Sequence, residues 1–205
     1  MKYTVLLLLS VLALLLGCAD EDKNETPPPV CYLNDYVPFE LNNWWRYIST
    51  HWGGGPTEVD TSLNIIDSTA VVLGGVTAYR LKDIDPDLTE YTWLVVVNNE
   101  LRMYETLPHD TAGYYIFLRC PFNVGSTWPY YSRPIFGQTI MATLVDNNAT
   151  ITVPAGTFHN CLHVAVSPYF HAYFAANIGL LRGANAYPDS SAGVDDQLLS
   201  YYVAP

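Results

Sequence analysis

Short apolar runs separated by turn residues dominate this chain from residue 31 onwards. Valine, isoleucine, threonine and aromatic residues form the runs, and Gly, Asn, Asp and Pro separate them. No long window repeats with the helical period of about 3.6 residues, so we predict an all-β domain. About ten antiparallel strands in this length must close or fold over to bury one face. The expected architecture is a meander in one strongly curved sheet, either a partly closed barrel or a two-layer sandwich.

Turn residues divide these runs into hairpins. Gly74-Gly75 and Asn98-Asn99 suit two-residue turns, because Gly and Asn adopt positive φ at little cost, and a third turn is predicted at residues 146–148. The predicted hairpins join 63–69 and 71–73 to 76–81, 92–97 to 101–106, and 139–145 to 150–153. The other predicted strands are 44–52, 114–119, 158–167, 169–175, 178–181 and 198–203.

The N-terminal residues have the order of a secretory signal. Lys2 precedes the apolar run 5–16, and the small residues Gly17 and Cys18 follow. As a helix the run spans roughly 18 Å, well short of the ~30 Å core of a bilayer, so we expect cleavage. The Leu-Leu-Gly-Cys sequence that ends at Cys18 resembles the lipobox of bacterial lipoproteins. This resemblance implies that Cys18 receives a diacylglycerol group and becomes the acylated mature N-terminus.

A polar segment separates this cysteine from the β-rich part. It is acidic at first and then contains three consecutive prolines at 27–29, so it cannot bury apolar surface. The acidic cluster resembles an export tag of Gram-negative lipoproteins, and a plain solvated spacer is the alternative. We therefore predict a signal peptide at 1–17, a lipidated tether at 18–30 and one β-rich domain at 31–205. The predicted location is the bacterial cell envelope, anchored by lipid to the outer membrane and facing the periplasm or the surface.

The charge of the chain excludes one class of partner. Nine basic residues against 20 acidic ones give a formal net charge of −11, which repels the phosphates of nucleic acid. Basic residues are also too few to form a patch for anionic lipids. The lipid on Cys18 is therefore the expected membrane contact, and a glycan or a protein is the expected ligand.

Three cysteines remain for the domain once Cys18 is lipidated. Cys31, Cys120 and Cys161 are an odd number in an oxidising compartment, so at most one bridge forms within the chain. Cys31 can pair with either of the other two, and spacing does not decide between them. No base and orienting partner surround any of these thiols in the sequence, so we expect no catalytic cysteine.

One strand carries residues that could bind a transition metal. With a period of two, His159, Cys161 and His163 share one face, and neighbours on that face lie about 6.6 to 7 Å apart. The outer two are too far apart to meet one ion, so a site would need His171 or His109 from another strand. We expect no metal and no cofactor, and a half-exposed strand face instead.

Four acidic residues cluster around Pro86. Asp83, Asp85, Asp87 and Glu90 lack the glycine and the closing glutamate of an EF-hand, so a solvated turn is predicted. The chain has no Gly-x-Ser-x-Gly sequence and no Gly-rich phosphate loop before a helix. Carboxylates that the fold brings together for glycoside cleavage remain an alternative.

Aromatic residues are abundant, with 16 tyrosines and five tryptophans. Several are adjacent in sequence, including Trp44-Trp45, Tyr114-Tyr115 and Tyr130-Tyr131. Adjacent strand residues face opposite sides, so some rings are exposed for protein contacts or for stacking on sugars unless both faces of the sheet are covered. The sequence leaves these two arrangements open.

The segment 153–158, Val-Pro-Ala-Gly-Thr-Phe, continues into an apolar strand. With residues 36–39, 43–45, 123–128, 173–175 and 178–180, it resembles a family of secreted and lipid-anchored bacterial proteins of uncharacterised function. The resemblance implies a β-rich envelope domain and no particular reaction. Independently, Pro154 and Gly156 suit the corners of a turn between strands ending at Val153 and starting at Phe158. Residues 123–128 form a similar turn that delivers Trp128 to the core.

These observations predict a lipid-anchored envelope protein whose domain is a non-catalytic binding or interaction module. A hydrolase of envelope or extracellular polymers, using carboxylates, is the alternative, and a structural assembly component is a third possibility. The sequence assigns no catalytic residue and no ligand-binding residue.

Overall fold

The computed structural model describes residues 31–109, 113–134, 137–166, 170–186 and 191–204, except for the side chain of Leu73. The predicted signal peptide and tether at 1–30, and positions 167 and 169 at the ends of two predicted strands, lie outside the described residues. Within these ranges the chain forms strands and two short 3₁₀ turns, Leu33–Tyr36 and Leu73–Gly75. The strands are β1 (Trp44–Trp52), β2 (Glu58–Val71), β3 (Thr77–Ile84), β4 (Thr89–Val97), β5 (Glu100–Tyr104), β6 (Tyr115–Arg119), β7 (Thr127–Pro129), β8 (Met141–Val153), β9 (Gly156–Val166), β10 (Phe170–Ala175), β11 (Gly179–Ala186) and β12 (Gly193–Tyr202).

All these strands belong to one antiparallel sheet. Its order is β6-β5-β4-β3-β2-β1-β12-β11-β10-β9-β8-β7, so two meanders of six strands join where β1 pairs with β12. The sheet curls until its ends meet, because the Ile116 amide donates to the Tyr130 carbonyl (2.7 Å) and the Ser132 amide donates to the Tyr114 carbonyl (2.9 Å). The all-β prediction is confirmed. Of its two architectures, the nearly closed barrel is the one observed.

Alternating apolar residues fill the barrel. Trp128 is 2% exposed, and its indole N–H donates to the Ile116 carbonyl at 2.9 Å, so this large side chain is buried without an unpaired donor. The prediction that the turn before it delivers Trp128 to the core is confirmed. Other large, fully buried side chains are Ile66, Leu118, Leu144, Leu162, Leu181 and Leu198.

Two of the three predicted hairpin turns lie where the sequence places them. Asn98 and Asn99 have φ of 51° and 61° between the paired residues Val97 and Glu100, so the two-residue turn is confirmed. The Gly74-Gly75 turn joins β2 to β3 but is longer than predicted. Its loop includes a 3₁₀ turn and closes where the Val72 amide donates to the Val76 carbonyl at 2.9 Å.

The third predicted turn, at 146–148, is wrong. Residues Met141–Val153 form one continuous strand, β8, and the polar triplet lies among irregularities of its pairing with β9. The Asp146 carboxylate accepts the Asn148 amide at 2.9 Å, so this local hydrogen bond forms a bulge and does not reverse the chain. The reversal comes at Pro154-Ala155, between the paired residues Val153 and Gly156. The turn predicted around Pro154 is therefore present, although the next strand starts at Gly156 and not at Phe158.

A covalent bridge fastens the N-terminal segment to the barrel. Cys31 pairs with Cys120, with 5.9 Å between their Cα atoms, and Cys161 is a free, buried thiol. Leu33, two residues after the bridge, is 4% exposed and packs in the core. The structure thus selects one of the two pairings that the sequence left open.

Most of the adjacent aromatic residues are covered. Trp45 and Trp128 are buried, and the other three tryptophans are partly covered. The centroid of the Tyr115 ring lies 5.5 Å from that of Tyr130 and 4.7 Å from that of Tyr131. These rings pack where the two ends of the sheet meet. The described tyrosines that are largely exposed are Tyr32, Tyr91, Tyr201 and Tyr202. No helix within the described ranges is long and apolar enough to cross a membrane.

Candidate functional site

The inner face of β1 changes from apolar to polar along the strand. Trp45 and Tyr47 belong to the core, whereas Ser49 and His51, at the following alternate positions, line a pocket. The neighbouring strands change in the same direction. Asp60 pairs with Ser49 from one side and Asp196 pairs with it from the other. One end of the barrel is therefore lined by polar side chains.

These side chains enclose a pocket of about 290 Å³, which is close to the volume of small-molecule sites. We name it the acidic pocket. Its polar and charged lining residues are Ser49, His51, Asp60, Ser62, Asn64, Asp83, Asp85, Asp87 and Asp196. Five of them are carboxylic acids and one is a histidine, so the pocket carries negative potential.

The surroundings of the acidic pocket raise the pKa of two of its carboxyl groups. Burial, together with the nearby carboxylates of Asp85, Asp196 and Glu90, raises the pKa of Asp83 from 3.8 to about 6. The pKa of Asp196 is also raised, chiefly by burial, although a hydrogen bond from Ser49 opposes the shift. Ionising either carboxyl group in the folded protein therefore costs free energy.

Two acceptors at this site lack a donor. Asn64 and Asp83 are directly paired across β2 and β3, and the Oδ1 atom of each is shielded from solvent. Neither atom receives a hydrogen bond from the described part of the chain. A shielded acceptor without a donor costs about 1–3 kcal/mol, so a group that donates hydrogen bonds here would be favoured.

Tyr47 in the wall of the acidic pocket is buried and hydrogen-bonded. Tyr47 is 5% exposed, and its hydroxyl donates to the Leu180 carbonyl at 2.9 Å. Burial raises the pKa of this phenol, so Tyr47 stays neutral. At the rim, the Nε2 atom of His51 lies 3.7 Å from the Oδ1 atom of Asp60, and both side chains are partly exposed.

The sequence predicted part of this site but assigned it a different role. It grouped Asp83, Asp85, Asp87 and Glu90 as a solvated turn. This is wrong for Asp83, because β3 extends to Ile84 and keeps that carboxyl half-buried. It missed Asp196 and Ser49, which only the pairing of β1 with β12 brings together. The available signal was the alternation of polar residues at the end of β1.

The histidine and cysteine set on β9 does not share one face. Asn160 has φ of 55° and marks an irregularity, so Cys161 turns into the core while the His159 ring lies 3.0 Å from the Thr150 hydroxyl. His163 instead meets His171 of β10, with 3.0 Å between Nε2 and Nδ1. No group of three or more His, Cys, Asp or Glu that could hold a metal occurs among the described residues.

A second cavity, of about 400 Å³, lies near the N-terminal segment. Its lining includes Val37, Phe39, Val76 and Tyr79, and Glu40 is its ionisable acid. Fewer polar and ionisable side chains line this cavity than line the acidic pocket, so it offers fewer groups that could bind a polar ligand.

Comparison with known proteins gives fold-level likenesses. No family model matches the chain, and no curated protein matches it. Its structure is similar to that of a candidate exported protein with a YmcC-like fold from Bacteroides fragilis NCTC 9343, at 12% identity and a TM-score of 0.49. It is also similar to a candidate lipoprotein from Parabacteroides distasonis ATCC 8503, at 12% identity and a TM-score of 0.43. Each match covers 82% of this chain and 98% of the other chain, and neither assigns a function to this protein.

Proposed function

We propose that this protein is a lipid-anchored protein of the bacterial cell envelope whose barrel binds a small ligand bearing an ammonium group in the acidic pocket. The observation that carries the binding proposal is the pair of shielded acceptors, Asn64 Oδ1 and Asp83 Oδ1, among five carboxylic acids. An ammonium group carries three N–H donors and no acceptor, so it can satisfy both atoms and offset their charge.

Electrostatics favours the same class of ligand. Asp83 and Asp196 are costly to ionise because burial and neighbouring carboxylates oppose their charge. A bound cation reverses this effect and lowers both pKa values, so binding near pH 6 releases protons. Ser49 and Ser62 add hydroxyl groups to the lining, which suits a ligand that carries hydroxyls beside the amine, such as an amino sugar.

Calorimetry on the full chain in detergent tests this proposal. Glucosamine and spermidine supply the ammonium group, and N-acetylglucosamine is the neutral control. We expect binding of at least one amine, and Asp83→Asn and Asp196→Asn should each weaken it by about tenfold or more, in line with the loss of a charge-assisted hydrogen bond. Asp67→Asn makes the same charge change at a site outside the pocket, where Asp67 pairs with Arg80, and should leave affinity unchanged. Equal binding of the neutral sugar, or equal losses in all three variants, would refute the assignment.

The anchor rests on the sequence that ends at Cys18 and needs its own test. We expect the chain to incorporate labelled palmitate and to sediment with outer membranes, and Cys18→Ser should abolish both. Globomycin should block processing of the precursor. Unchanged processing under globomycin, or a mature N-terminus without fatty acid, would contradict lipidation whatever the acidic pocket binds.

The alternative function is a hydrolase that uses pocket carboxylates. It is favoured by the pKa of about 6 at Asp83, because a protonated acid near a second carboxylate is what general acid catalysis requires. Incubation with envelope glycans distinguishes the two functions. New reducing ends that disappear in Asp83→Asn would favour the hydrolase, whereas affinity without turnover supports the binding module.

A further inference from the structure

Two histidines meet on the outer face of the sheet, away from the acidic pocket. On β9, Leu162 and Val164 are buried, and His163 lies between them on the opposite face. On β10, Ala172 is buried, and the adjacent His171 faces outward. His163 pairs with Tyr173, so His171 is its diagonal neighbour. Antiparallel pairing thus brings both rings together on one surface.

The rings are held in place by their neighbours. His163 stacks on Tyr173 at 4.3 Å between centroids with 9° between ring planes, and Asp146 of β8 pairs across the strand with His163. Both histidines are half-buried, so they have less rotamer freedom than exposed side chains. The nitrogens that face each other, Nε2 of His163 and Nδ1 of His171, are 3.0 Å apart.

That separation suits two ligands of one metal ion. Two nitrogens bonded at about 2.0–2.1 Å, with angles from octahedral to tetrahedral, lie roughly 2.9–3.4 Å apart. Without an ion, one ring donates a hydrogen to the other. An ion would take the place of that hydrogen, and the hydrogen would move to the other nitrogen of the same ring, so both rings stay neutral.

We propose that His163 and His171 form a two-imidazole site for a divalent transition ion such as Zn²⁺ or Cu²⁺. Imidazole nitrogen is a preferred ligand of both ions, and affinity rises toward copper in the first-row series. The proposal departs from the sequence-based expectation of no metal, because β10 places His171 beside His163 of β9. The described residues bring no third ligand to the pair, so solvent completes the coordination.

Metal titration of the full chain, purified without a histidine tag, tests the site. The wild-type protein should bind one equivalent of Zn²⁺ there. Replacing an outer-shell partner of a metal ligand typically costs about tenfold or more in affinity, so His163→Gln and His171→Gln should each cost at least that much. His159→Gln is the matched control, since His159 lies on the same strand and bonds Thr150, and it should bind as the wild type does.

Electron paramagnetic resonance of the wild-type protein with substoichiometric Cu²⁺ gives an independent readout that needs no variant to fold. Coupling to two imidazole nitrogens, lost in both glutamine variants and kept in His159→Gln, would support the site. A spectrum with one nitrogen or none, or equal Zn²⁺ affinity in all four proteins, would overturn it. Neither result bears on the amine ligand of the acidic pocket.

Discussion

Removing the Cys31–Cys120 bridge should cost much of the stability of the domain. The two residues are 89 positions apart, so the bridge closes a long loop that contains β1 to β6. In the chain-entropy treatment a loop of this length restricts the unfolded chain by about 4–5 kcal/mol. A domain of ordinary stability has about 5–15 kcal/mol in total, so the double variant Cys31→Ser/Cys120→Ser should approach the limit of folding.

Urea denaturation of the full chain, followed by tryptophan fluorescence, measures this change. The variant should unfold at a much lower urea concentration, and reduction of the wild-type protein should reproduce the shift. Cys161→Ala is the control, because it removes a buried thiol and leaves the bridge intact. If the double variant loses less than about 1 kcal/mol, the unfolded chain is not restricted by the bridge and the entropic reasoning fails.

Three further changes test other parts of the structure. Asp83→Asn should remove a pH dependence of the stability, because ionised Asp83 destabilises the folded state. As pH rises from about 4 to about 6, the free energy of unfolding of the wild type should fall relative to that of the variant, measured by urea titrations across that range. Trp128→Phe should cost about 1–3 kcal/mol in the same assay, because the Ile116 carbonyl loses its donor, and Trp128→Ala should cost about 3–5 kcal/mol. Asn99→Val should destabilise the protein by about 1–2 kcal/mol, and Asn99→Gly should not, because φ at this position is 61°.

Local chemistry accounts for the elements that the sequence predicted well. Asn98 and Asn99 favour positive φ by themselves, and Pro154 fixes its own φ, so their turns need no distant partner. The polar triplet 146–148 has the same composition as a turn, but pairing with β9 continues on both sides of it and the strand remains intact. Composition alone does not separate a bulge from a reversal.

The candidate site was less predictable because distant pairing assembles it. Ser49 and Asp196 meet only where the first strand joins the last, and that pairing follows from closure of the whole sheet. Asp83 was identified from sequence as part of an acidic cluster, yet its burial depends on where β3 ends. His163 and His171 lie on consecutive strands, so the sequence could name His171 as a second ligand. It could not predict that the two rings are in contact.

The meeting of the sheet's ends at Tyr114–Tyr115 and Tyr130–Ser132 limits how this protein can recognise others. In this segment, main-chain amides and carbonyls of the first meander (β1 to β6) already form hydrogen bonds with the second meander (β7 to β12). A peptide cannot add itself there as an extra strand, the mode that open sheets offer to extended partners. Recognition at this seam has to rely on side chains, and selectivity would therefore change with single substitutions in the tyrosine cluster.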